Sequence, residues 1–215
     1  MKHMTLTLTA VAATLLAAAG CASLPSAADL DAQALAAIKA SFRDQGIAKV
    51  DRIQQDLGQS ACSSDTPPAA ALAEQVMAQA RASVKWPAAG QYFGDWREGE
   101  KLAQNGRGMT WTDSSAAASA NGGSCYNCHQ ISKQEISFGT IGPSLYNYGK
   151  TRGVTDVMAA SAQPVVEYTW TKIYNGKSYN ACSNMPRFGH LGLLDAKQMA
   201  HLMSLLLDPN SPVNK

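Results

Sequence analysis

The run Cys125-Tyr126-Asn127-Cys128-His129 constrains this chain more than any other stretch. Two thiols separated by two residues and followed at once by an imidazole have the spacing of a c-type haem attachment site. The thiols can form thioethers to the two vinyl groups, which leaves the next side chain beneath the iron. On this reading Cys125 and Cys128 carry one covalently bound haem c, and His129 is the proximal ligand. A bare C-x-x-C is equally the core of a redox dithiol or half of a zinc site. A four-thiolate zinc site would have to recruit Cys62 or Cys21 at irregular distances, because Cys182 alone lies further downstream.

The N-terminus points to export. Lys2 and His3 precede an apolar run from Leu6 to Ala19, and small residues lead into Cys21. That is the pattern of a secretory signal, too short for a membrane span and without a stop-transfer flank. Residues 1–21 therefore read as a signal peptide, with a bacterial lipoprotein variant in which Cys21 becomes the lipidated first residue. The expected location is the periplasm, with membrane attachment only if Cys21 is lipidated. In that oxidising compartment Cys62 and Cys182 are expected to pair.

Charge excludes one broad class of partner. Among residues 1–20 only Lys2 is charged, so its removal leaves 17 basic and 16 acidic side chains. Such a balance lacks the strongly basic field that holds nucleic acid.

The apolar pattern is helical throughout. Leu30, Leu35, Ile38, Phe42, Ile47, Val50, Ile53 and Leu57 predict one long helix over 29–59, interrupted near Gly46. The run Cys62 to Pro68 stops it, and Asp65 or Thr66 can cap a second helix, with Pro tolerated in its first turn, running to about Val84. Asp95 is placed to cap a helix with Glu98 closing a capping box. Residues 112–123, rich in Ser, Ala, Asn and Gly, read as a surface loop. Asp195 can cap a last helix in which Met199, Leu202, Met203 and Leu206 form a stripe, with Lys197, His201, Ser204 and Asp208 on the other side. Pro209 and Pro212 end it and leave a short tail. The domains expected are a signal at 1–21, a helical extension at 28–91 and a haem domain at 92–215.

Two residues complete the expected site. The carbonyl of Pro143, in Gly142-Pro143, can accept the proton on His129 Nδ1 and turn the other ring nitrogen toward iron. Met185, held before Pro186 in a loop ahead of the last helix, offers a soft sulfur as distal ligand. His190 is the nitrogen alternative, and Met109 and Met158 are weaker competitors.

These residues also carry a resemblance. Gly94-Asp95-Trp96, Gly106 to Trp111, Gly122 to Gln130, Gly139 to Leu145, Asn184 to Gly189 and Asp208 to Asn214 together resemble SoxX, the monohaem cytochrome subunit of the SoxAX complex of bacterial sulfur oxidation. The resemblance implies an all-α, class I-like cytochrome c fold with an N-terminal helical extension. It implies haem c on Cys125 and Cys128 with His129 and Met185 as axial metal ligands. The implied partners are a SoxA-like cytochrome subunit, a soluble c-type cytochrome acceptor and a sulfur-carrier protein reached through the complex. Function would then be electron transfer, without catalytic residues of its own, inside an L-cysteine S-thiosulfotransferase complex acting on thiosulfate. Alternatives from the residues alone are a free-standing periplasmic electron carrier, a cytochrome subunit of another dehydrogenase, or a haem-based sensor.

Overall fold

The computed structural model describes residues 24–215, so the expected signal and Cys21 lie outside the described residues. The described residues are all-α, without a strand among them and with one isolated antiparallel bridge between Gln45 and Ala48. Two compact units divide the chain at Met1–Arg43 and Asp44–Lys215.

Helix α1, Ala27–Ser41, belongs to the first unit. Ser26 caps it, with the Asp29 carboxylate returning to the Ser26 amide in a capping box. None of its residues is buried, and Leu30 and Leu35 are exposed.

The single long helix expected over 29–59 does not form. Helix α1 stops at Ser41, and three local interactions hold the later residues in other conformations. Gln45 and Ala48 exchange backbone hydrogen bonds around Gly46, whose φ of 52° suits a residue without a Cβ. The Asp44 carboxylate takes the Val50 N–H at 2.9 Å. Asp56 and Gln59 then build a new capping box that starts the short helix α2, Leu57–Ala61. Side chains competing for backbone N–H groups thus override a tolerable helical pattern.

Helix α3, Ala70–Ala82, starts later than Asp65 or Thr66 would place it and has no side-chain cap. It buries Val76 and Ala80. Helix α4, Trp96–Gln104, is capped by Asp95 as expected, but Glu98 pairs with Lys101 at 2.8 Å instead of closing a box. Helices α5, Tyr148–Thr151, and α6, Gln163–Tyr174, follow, the latter with a proline in its first turn. Helix α7, Ala196–Leu207, opens on a capping box made by Asp195 and Gln198.

The frame of the second unit is the crossing of α4 over α7. A Cβ at Gly99 would overlap the His201 carbonyl oxygen, so glycine is what lets the two backbones approach. Beside that crossing the Gly94 N–H donates to Ser204 Oγ, and the same hydroxyl returns its proton to the Gly94 carbonyl. The His201 Nδ1 accepts the Asp95 N–H at 2.8 Å. His201 is therefore a fastener between helices, not a free surface residue.

Helix α7 is buried more fully than one stripe predicts. Met199, Leu202, Met203 and Leu206 all face the core, and Ser204, Leu205 and Leu207 are buried with them. Each such apolar side chain contributes roughly 1.5–3 kcal/mol. The chain end is also interior: Val213 is fully buried, and Asn214 bonds the Leu206 and Asp208 carbonyls through Nδ2 and the Gly149 and Lys150 amides through Oδ1. What reads as a tail is the piece that joins the end of α7 to the start of α5.

Candidate binding cleft

Between α4, α6 and α7 lies a narrow, closely lined cleft with a cavity volume of about 40 Å³, open to solvent on one side. Its walls are Ala103, Ile131, Leu145, Ile173, Phe188 and Leu202, Leu205 and Leu206 of α7, and three sequence-predicted residues reach it: Cys125, His129 and Met185. Residues 125 and 129 come from one turn, and residue 185 from a loop on the other side of α6.

The turn is built by local bonds. Ser124 enters it at φ 51°, a conformation that non-glycine residues rarely adopt, and its Oγ accepts from Asn127 Nδ2. Residues Cys125–Asn127 form one 3-10 turn, and the amides of Cys128 and His129 both donate to the Cys125 carbonyl. The chain then wraps back, with the Gly142 N–H bonded to the Cys128 carbonyl at 2.8 Å. A Cβ at Gly142 would overlap the His129 ring, so the returning segment passes directly against the imidazole.

That wrapping places the Pro143 carbonyl 2.6 Å from His129 Nδ1. A carbonyl oxygen can only accept, so Nδ1 carries a proton, and in the neutral imidazole Nε2 is then the nitrogen with the lone pair. The ring is oriented and its tautomer selected before any ligand arrives. Pro143 itself is exposed and does not line the cleft.

The cysteines differ. Cys62 and Cys182 form a disulfide, while Cys125 and Cys128 are free thiols. The desolvated surroundings of Cys125 push its thiol from 9.0 up to about 12, although part of its surface reaches the cleft. Such a thiol stays protonated at neutral pH and is a weak nucleophile, which does not suit a redox dithiol. Cys128 is half-buried and does not line the cleft. His190 also stays outside it, with its backbone N–H on the Tyr174 carbonyl.

Sequence reasoning missed most of the walls. Ile131, Leu145, Ile173 and Phe188 lie on separate segments with no common period, and only packing brings them together. The α7 leucines carried a signal in their density.

No family model matches the chain. It is 36% identical over 167 residues to an uncharacterized lipoprotein of Aquifex aeolicus strain VF5, covering 75% of this chain and 73% of the relative.

These findings correct several expectations. Among the described residues no group of three or more His, Cys, Asp and Glu side chains comes together in a way that could hold a metal ion. Cys125, Cys128 and His129 are neighbours in sequence but do not form such a cluster. The relative is described as a lipoprotein, not as SoxX or any cytochrome. On these two findings the SoxX identity, the haem c cofactor, the electron-transfer role and the thiosulfotransferase link are withdrawn. The SoxA-like partner, the cytochrome acceptor and the sulfur carrier are expectations that rest on that resemblance alone.

Proposed function

Because this chain belongs to the same family as the Aquifex aeolicus lipoprotein, we propose that it is a lipoprotein of the bacterial cell envelope, anchored through Cys21, whose folded unit binds an apolar small molecule. The site residues are Cys125, His129 and Met185 at the cleft, with Pro143 orienting the imidazole and Cys128 completing the turn. One observation carries this reading: a cleft with apolar walls is lined by one imidazole whose Nδ1 is held by the Pro143 carbonyl, and Nε2 is the nitrogen this leaves for a ligand group. Apolar walls with a single polar contact are the usual composition of a small-molecule site. The ligand class is a largely hydrocarbon or aromatic molecule presenting one electron-poor or hydrogen-donating group to Nε2.

The crossing of α4 and α7 beside the cleft also supports a class I cytochrome c-like arrangement, as an architecture and without a statement about what it carries.

Mass spectrometry of the full chain purified from its native membrane tests both halves of the proposal. A diacylglyceryl group on Cys21 and a bound species that is lost from Ala103→Leu, which narrows the cleft, are the expected results. A processed chain without lipid, released into the soluble fraction, would overturn the anchor. A native mass equal to that of the bare chain would overturn the binding site.

A further inference from the structure

The loop that carries Met185 has little structure of its own. Residues 180–190 contain turns and bends but no helix, and the Met185 amide bonds only to Ser183 Oγ, at 3.3 Å. Something else must hold the Met185 side of the cleft in place. The segment Asp56 to Cys62 does so at two points, one three residues before Met185 and one two residues after it. Before it, Cys182 is bonded to Cys62. After it, the Arg187 guanidinium meets the Asp56 carboxylate at 2.5 Å, with the Arg187 side chain 13% exposed. Just ahead of the bridge Lys177 Nζ donates to the Ala181 carbonyl at 2.8 Å and to the Gly58 carbonyl at 3.4 Å, tying both segments to one ammonium.

We infer that Asp56 and Arg187 are positioning residues for Met185, which with the Cys62–Cys182 bridge clasp the loop and set the width of the cleft. This rests on the cleft being the binding site, but its geometry can be read without a ligand. The bridge alone fixes one end of the loop, and a chain held at one end still swings about that point. The ion pair fixes the other end. Asp56 has a second task as the cap of α2, where its Oδ1 accepts the Gln59 N–H at 2.8 Å. Asparagine caps helices about as well as aspartate, so Asp56→Asn removes the charge and keeps the cap.

The test measures methionine oxidation by hydrogen peroxide in the full chain, followed peptide by peptide. Met158, at 79% exposure, is the reference, and Met203, which is fully buried, reports on global unfolding. Asp56→Asn and Arg187→Gln should each raise the Met185 rate relative to Met158 about threefold, the opening expected when an ion pair of this exposure is lost. Arg187→Lys, which keeps the cation, should restore most of the protection. Met203 should stay protected in every variant. An unchanged Met185 ratio in both charge-removing variants would overturn the inference, since the burial of Phe188 would then suffice to hold the loop. A rise shared by Met203 would also overturn it, because the pair would be supporting the whole fold. Failure of the cleft to bind any small molecule would leave these ratios as they are, so the two readings fail separately.

Discussion

The His129 Nδ1 lies 2.6 Å from the carbonyl oxygen of Pro143, and because that oxygen can only accept, the contact favours the Nδ1-protonated form of an imidazole that lines the cleft. The acceptor is a main-chain atom, so its placement depends on how the chain returns over the imidazole and not on the proline ring. Gly142 is the residue that permits the return.

Gly142→Ala should therefore displace the ring. The added methyl overlaps the imidazole, and either the ring or the returning segment must move, at a cost of about 1–3 kcal/mol. Nitrogen-detected NMR of the His129 imidazole should show a Nδ1-protonated tautomer in the parent and a mixed or reversed tautomer in the variant. An unchanged spectrum would show that Pro143 does not choose the tautomer.

Cys125 should resist alkylation in the folded chain at pH 8. Its thiol is pushed up to about 12 by desolvation, so the reactive thiolate is scarce, whereas unfolding returns it to about 9.0. Because the folded value lies above the unfolded one, the associated stability is complete below pH 9 and is lost as pH rises toward 12. Iodoacetamide labelling with peptide mapping should find Cys125 unlabelled until denaturant is added. Prompt labelling in the folded state would contradict the burial, and a residue still blocked after unfolding would reveal a covalent adduct in place of the free thiol.

The Cys62–Cys182 bridge spans a sequence separation of 120. Restriction of so long a loop in the unfolded chain stabilises by about 5 kcal/mol in the chain-entropy account, and measured values usually fall between 2 and 5 kcal/mol. The double serine variant should lose about that amount in urea titrations monitored by tryptophan fluorescence. A loss well under 1 kcal/mol would place residues 56–62 outside the cooperative unit.

Asn214 should matter more than its place next to the C-terminus suggests. Its amide makes bonds to Leu206, Asp208, Gly149 and Lys150 and is buried. Asn214→Ala leaves several of those backbone groups without partners and should cost at least about 2 kcal/mol of unfolding free energy. Removing residue 215 alone, which is exposed, should cost far less.

The sequence by itself determined the helical class, the Asp95 and Asp195 caps, the core side of α7, the turn at Cys125 to His129 with its Pro143 acceptor, and the pairing of Cys62 with Cys182. Each of these is written in short-range chemistry: a cap needs a carboxylate at one position, a helix face needs a period, and two thiols left in an exported chain have each other. The structure decided the break near Gly46, where the Asp44 carboxylate takes a backbone amide that a helix would otherwise use. It also decided the interior role of Val213 and Asn214, the use of His201 as a fastener, and the clasp of Asp56 on Arg187. Those depend on which surfaces meet after the chain has turned several times, and the meeting of residues more than a hundred positions apart leaves no period to read. The same limit applies to the cleft. A five-residue motif states the order of two thiols and an imidazole along the chain, but the walls around them, and what those walls admit, come from Ile131, Leu145, Ile173, Phe188 and Leu202, Leu205 and Leu206 of α7, which packing alone assembles.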